Sequence, residues 1–257
     1  MDLRGIWLIL ASGVEACQYR TYHVHSLPGI GWKGEDKLDS KRVTFASGAL
    51  TLEGVLTVPS GVGLADQVAV AIAHPHPLFG GDMDNGVVLA IVDRLARLGI
   101  PSLRFNFRGV GRSEGQYDDG RGELDDLKAA VSFLGGVRGV DPTRIGLAGY
   151  SFGAEIVLRM AAQRPGRHPV VAVSPMVSSV TGKGWQLVSI PKLVICGDSD
   201  AFLPVERLVS GTLEEERVVI AGEDHFWMCK ADEMADAAAE FFVRAFDLAP
   251  TPDKASE

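Results

Sequence analysis

The chain has no surplus of positive charge: 25 lysines and arginines face 33 aspartates and glutamates, a formal net charge of −8. That excludes the basic footprint by which proteins hold nucleic acid and the cationic patch suited to anionic membranes. A small or neutral substrate is the expectation. Cysteine is scarce as well. Cys17, Cys196 and Cys229 form neither a CxxC pair nor a zinc-ligand spacing. A scattered, odd-numbered set reads as reduced thiols in a cytoplasmic protein. The apolar run Ile6 to Val14 falls far short of the ~20 residues that cross a bilayer, so no membrane span is expected.

The same N-terminal stretch contains Val14-Glu15-Ala16-Cys17, a faint likeness to a lipoprotein cleavage box. Asp2 offsets Arg4 ahead of it, and Glu15 stands where a small residue is usual, so export as a lipoprotein is the minor reading. What the chain does have is length and apolar content, 257 residues at 46% hydrophobic, enough for the core of one domain. Residues 1–40 read as an extension, 41–247 as the domain and 248–257 as a flexible tail.

Within the domain, Arg42 to Phe45 and Leu50 to Val58 read as an antiparallel hairpin turning at Ser47-Gly48. Val68 to Ala73 is a continuous apolar run, the pattern of a strand buried on both faces. Val88, Leu89, Val92, Leu95 and Ala96 then recur at helical spacing, and Gly99 closes that helix. Strand character returns at Ile100 to Phe107, Arg144 to Ala148, Val170 to Val173, Leu193 to Cys196 and Val218 to Ile220. Helical segments between and after them include Leu124 to Leu134, Ser151 to Gln163, Pro204 to Gly211 and Ala231 to Phe246. This rhythm predicts an α/β fold: a parallel sheet with helices on both faces and the hairpin at one edge.

The strongest chemical signal is Gly149-Tyr150-Ser151-Phe152-Gly153, a G-x-S-x-G set between a strand and a helix. A turn that tight leaves no room for flanking side chains, hence glycine on both sides, and it pushes the serine hydroxyl out above the strand end. Ser151 is thus the predicted nucleophile. A serine alone attacks poorly and needs a base oriented by a carboxylate. In this kind of fold they follow in the order serine, acid, histidine. Asp198 and Asp200 compete for the acid after Leu193 to Cys196; Asp200, farther along the loop, has the better reach, and Asp198 suits a brace. His225 alone among the six histidines lies beyond the acid.

An oxyanion hole needs two backbone N–H groups fixed in advance. Phe152 supplies one from the start of the helix. The other is expected from His74-Pro75-His76-Pro77-Leu78-Phe79-Gly80-Gly81, where both prolines lack the proton. His76 and Leu78 remain, with Gly80 behind them and Leu78 preferred. The His74-x-His76 pair has no third ligand nearby and reads as loop structure rather than a metal site. Gly109 to Gly115 shares only its glycines with a dinucleotide fingerprint. No metal or cofactor is expected.

Three stretches, HPHPLFGGDMDN over His74 to Asn85, LRFNFRGVGRSEG over Leu103 to Gly115 and GYSFG over Gly149 to Gly153, resemble the small α/β-hydrolases related to dienelactone hydrolases. They also resemble the Xaa-Pro dipeptidyl-peptidase-like and serine aminopeptidase-like domains. The resemblance implies an α/β-hydrolase fold with a mostly parallel eight-stranded sheet and a Ser151–Asp200–His225 triad, but no particular substrate. Dienelactone hydrolases use cysteine where this chain has Ser151, so their lactone chemistry does not carry over. Many relatives open the stretch Asn106-Phe107-Arg108-Gly109 with aspartate; here Asn106 is expected to support the loop, with Arg108 or Arg112 bracing the site or meeting an acidic substrate.

Between Ser178 and Ile190 there is too little chain for a helical cap domain, so an open site is expected. Its rim would be Phe79, Tyr150, Met176, Trp185, Phe202 and Phe226. The expected activity is hydrolysis of a carboxylic ester with a small or medium acyl group. A peptidase, thioesterase or acyltransferase is the neighbouring alternative, and a non-catalytic binding module the distant one. Oligomeric state is not legible.

Overall fold

The computed structural model describes residues 38–59, 67–163, 168–176, 190–211 and 217–248. Eight strands form one sheet: β1 Leu38–Ser47, β2 Leu50–Pro59, β3 Gln67–Ala73, β4 Ser102–Phe105, β5 Val140–Tyr150, β6 Val170–Val173, β7 Lys192–Gly197 and β8 Arg217–Ile220. Among the described residues five α-helices accompany them: α1 Gly86–Arg97, α2 Arg121–Gly135, α3 Phe152–Gln163, α4 Val205–Gly211 and α5 Ala231–Ala245. The strand order β1-β2-β4-β3-β5-β6-β7-β8 is antiparallel through the first three and parallel from β4 to β8. This is the mostly parallel sheet with a hairpin at one edge that the strand–helix rhythm predicted, and its eight strands match the α/β-hydrolase fold that the resemblance implied.

Ser47 pairs with Leu50 across a two-residue loop, and Gly48 takes the left-handed backbone (φ 58°) that matches strand twist in such hairpins. Pairing continues back to Leu38 opposite Pro59, three residues earlier than the expected domain start. Ladder hydrogen bonds extend the strand past the point where its apolar pattern fades.

The central strands alternate by size as well as by face. Val68, Val70 and Ile72 of β3 pack with α1 and α5, while Ala69, Ala71 and Ala73 face α2 and α3. Each fully buried aliphatic side chain on the larger face contributes about 1.5–3 kcal/mol. The alanines on the other face let α3 approach the sheet closely. That close approach places the start of α3 against the end of β3, where the chemistry gathers. Among the described residues, no helix is long and apolar enough to cross a membrane.

Candidate active site

Ser151 sits between the end of β5 and the start of α3 with φ 53°, a left-handed conformation costly for a residue with a side chain. It persists because its surroundings over-determine it. Its N–H donates to Val173 O at 2.9 Å. A Cβ on Gly149 would collide with the backbone of Gly153, and one on Gly153 with the carbonyls of Ala73 and His74. Both flanking glycines are therefore required by close backbone approach, and the elbow is pressed onto the loop that follows β3.

From this elbow a hydrogen-bonded line runs across three strand ends. Ser151 Oγ lies 3.1 Å from His225 Nε2, and His225 Nδ1 lies 3.1 Å from both carboxylate oxygens of Asp200. A carboxylate only accepts, so Nδ1 carries the ring proton and Nε2 is left to accept from the serine. Asp200 is 3% exposed and His225 8%. Burial pushes the Asp200 pKa up, but the hydrogen bond and charge of His225, the Ser174 hydroxyl and the Phe202 amide outweigh it and hold it below the ordinary carboxylate value. Phe202 and Leu203 donate their N–H groups to Oδ1 at 2.9 and 3.1 Å. Asp198 accepts from Gly222 N–H and Ser199 Oγ–H and braces the loop.

The histidine loop is pinned by two contacts that the sequence did not announce. Tyr150 Oη–H donates to the carbonyl of His225 at 2.7 Å, and Trp227 Nε1–H donates to Ser174 Oγ at 3.0 Å. Trp227 and Ser174 both have positive φ, 58° and 45°. Three left-handed non-glycine residues thus cluster at the ends of β5, β6 and β8. Tyr150 was expected on the pocket rim; at 5% exposure, with its hydroxyl spent on the histidine loop, it is a supporting residue instead. Its G-x-S-x-G position fixed its neighbourhood but could not show which way the ring turned.

The loop after β3 corrects another expectation. Leu78 N–H is taken by His76 Nδ1 at 3.2 Å, because His76 caps the 3₁₀ turn Pro77–Phe79 with its own side chain. Phe79 and Gly81 donate to His76 O, and Gly80 donates to Pro77 O. Among the described residues, no acceptor takes the N–H of His76 or that of Phe152. Leu78, preferred from the sequence, points its side chain to solvent at 67% exposure and has no amide to spare. His74 engages both ring nitrogens: Nδ1 with Pro75 O at 2.6 Å, and Nε2 with the N–H of Phe107 at 3.1 Å. Burial lowers its pKa to about 4, so it is a neutral strut for the loop.

Asn106 supports the neighbouring loop as expected, accepting from Met83 N–H and donating to buried Glu53 at 2.8 Å each. Arg108 is committed to Asp126 through its side chain and its N–H, which leaves it braced rather than free for an acidic substrate.

Two walls flank Ser151. On one, Phe202 and Phe226 contact the His225 ring at centroid distances of 4.6 and 5.6 Å. On the other, His76, Phe79, Tyr117 and Phe152 form an aromatic cluster, with His76 4.7–5.0 Å from each of the other three. Phe79 and Met176 are exposed, consistent with a rim; Trp185 lies outside the described residues. Tyr117 was not foreseen, since nothing local to Gln116-Tyr117-Asp118 distinguishes it from a surface loop. Of the cysteines, Cys196 is a buried free thiol, as expected, and burial pushes its pKa up to about 12; Cys17 lies outside the described residues.

The comparisons agree with this geometry at the level of family and fold. A family model described as X-Pro dipeptidyl-peptidase (S15 family) matches residues 24–188, a span that includes Ser151 and ends before Asp200 and His225. An uncharacterised protein of Rickettsia prowazekii is 32% identical over 184 residues, covering 67% of this chain and 77% of its own. A Xanthomonas campestris α/β serine hydrolase described as lacking a lid is 31% identical, covering 85% of this chain and 97% of its own, with a TM-score of 0.66. A cutinase of Thermobifida cellulosilytica shares 35% identity over 66 residues, 26% of this chain and 24% of its own.

Proposed function

This chain belongs to the X-Pro dipeptidyl-peptidase (S15) family and is a hydrolase of the α/β serine type; on that premise we propose that it cleaves carboxylic esters of small or medium acyl groups through a Ser151–His225–Asp200 triad. The observation that carries this reading is the unbroken line from Ser151 Oγ through His225 to Asp200, with 3.1 Å at each step.

In this reading Ser151 Oγ attacks the ester carbonyl as its proton passes to His225 Nε2. The oxyanion that forms is met by the free N–H groups of Phe152 and His76, two donors already in place and costing no reorganisation. His225 then gives the proton to the departing alcohol, and the acyl group stays on Ser151. A water deprotonated by His225 attacks the acyl-enzyme and releases the acid. Asp200 holds the imidazole tautomer and stabilises its cation.

The stretch shared with the cutinase supports an ester, and the family description keeps a peptide bond as the second reading. A cytoplasmic location is part of the proposal, and cell fractionation decides it. The decisive test is labelling by a fluorophosphonate, followed by a panel of p-nitrophenyl esters and aminoacyl-prolyl amides. Labelling lost in Ser151→Ala, with turnover of esters well above amides, is the expected result. An unlabelled, folded wild type ends the hydrolase reading.

A further inference from the structure

The aromatic wall beside Ser151 contains a polar contact whose direction can be worked out. His76 Nδ1 accepts the N–H of Leu78 at 3.2 Å. A backbone amide can only donate, so Nδ1 carries no proton. Burial lowers the His76 pKa, against a smaller opposing effect of Asp119, which keeps the ring neutral near pH 7. The single ring proton of a neutral imidazole then resides on Nε2. Nε2 faces Tyr117 Oη at 3.2 Å, so the imidazole donates and the phenol oxygen accepts.

That assignment leaves the hydrogen of the Tyr117 hydroxyl unused. Among the described residues, no acceptor takes it. Burial, together with Asp119, Glu123 and Glu155, raises the phenol pKa, so the proton is kept. Tyr117 is only half-buried, and its ring lies 5.8 Å from that of Phe152, the residue after the nucleophile. The site therefore contains a hydroxyl donor beside Ser151 that has been oriented from behind by His76.

Topology says which part of a substrate would meet it. His225 must stand next to the leaving-group oxygen to protonate it, and His225 follows β8, on the β6-β7-β8 side of β5. The acyl substituent is then directed to the opposite side, over the ends of β3 and β4, where His76 and Tyr117 lie. We propose that Tyr117 is a specificity-determining residue that donates a hydrogen bond to an ether or carbonyl oxygen carried on the acyl chain, while the rings of Phe79, His76 and Phe152 pack the rest. This rests on the ester-hydrolase reading above.

A pair of isosteric esters tests it. p-Nitrophenyl methoxyacetate and p-nitrophenyl butyrate differ by one oxygen in place of one methylene. Tyr117→Phe keeps the ring and removes only the hydroxyl. The expected result is a kcat/KM for the methoxyacetate that falls about 3- to 10-fold more than that for the butyrate, the size of one ordinary hydrogen bond. His76→Asn offers a second route, since Asn can still cap Leu78 N–H but no longer holds Tyr117 in place. It should show the same selective loss, smaller in size. Equal factors on both esters in both variants, or no loss in either, would overturn the role of Tyr117 and leave the hydrolase reading intact. A wild type that cleaves neither ester would overturn both.

Discussion

Trp227 and Ser174, 53 residues apart, meet in a 3.0 Å hydrogen bond from indole N–H to hydroxyl oxygen, with both backbones in the left-handed region. With its oxygen occupied by the indole, the serine directs its own hydrogen to Asp200, where its hydrogen bond contributes to the lowered pKa of that carboxyl. The pair thus braces the acid of the proposed triad without touching the space where substrate would lie.

Ser174→Gly should lower kcat about 3- to 10-fold with little change in KM, because glycine accepts the backbone conformation and only the hydrogen bond is lost. A carboxylate deprived of a donor is more basic and holds the imidazolium more strongly. The acid limb of the kcat/KM profile should accordingly move to higher pH. Trp227→Phe should shift it in the same direction, and the double variant should be no worse than Ser174→Gly. Additive losses, or an unmoved acid limb, would place the pair outside the chemistry.

Tyr150→Phe removes the hydroxyl that donates to the His225 carbonyl at 2.7 Å. The expected outcome is a fall in kcat of several-fold at constant KM and a loss of about 1 kcal/mol in chemical denaturation, the worth of a buried hydrogen bond. If KM rises instead, the tyrosine lines the pocket after all.

His74 predicts an acid weakness of the whole fold. Its pKa in the folded chain is about 4, against 6.5 for an ordinary histidine. Above pH 6.5 both states are neutral and nothing is lost. Between 6.5 and 4 the unfolded chain takes up a proton that the folded chain refuses, and stability declines by roughly 3 kcal/mol across the window. Thermal unfolding from pH 7.5 to 4 should show this fall, and His74→Asn should flatten it. An identical slope in the variant would assign the loss to other groups.

Ser102 contains a buried hydroxyl oxygen with no hydrogen-bond partner, the single such side-chain atom among the described residues. Ser102→Ala removes a polar group that water satisfied before folding. It should stabilise the protein by about 1 kcal/mol in urea unfolding and leave ester turnover at the wild-type level.

Much of this site could be read in advance where one residue type performs one job at a fixed spacing. Gly149, Ser151 and Gly153 announce the elbow because backbone collision tolerates nothing larger. His225, singled out by chain order and its place after a strand, and Asp200, singled out by its reach relative to Asp198, lie in one hydrogen-bonded line with Ser151, the geometry from which their roles are proposed. Less legible were contacts set by how a ring turns, and those depend on packing from distant strands. Tyr150 faces the histidine loop instead of the cleft, and Tyr117 joins the aromatic wall from a loop without a motif. Leu78 was misjudged for a different reason: the cap made by the His76 side chain is a local competition for one proton, and counting prolines cannot reveal it. In the fold, strand interiors were predicted closely, whereas the start of β1 was set by pairing rather than by apolar pattern.

The position of β8 has a consequence for how this protein would fail. His225 follows a four-residue strand that, among the described residues, closes one edge of the sheet and pairs only with β7. Ser151 and the amides of Phe152 and His76 sit above the fully buried centre. Short edge elements open at lower free energy than the core they border. Warming should therefore release the general base while the nucleophile and its oxyanion donors are still assembled. Turnover would disappear below the temperature at which the chain melts, leaving a folded protein that still offers the acyl-binding wall but no longer moves a proton.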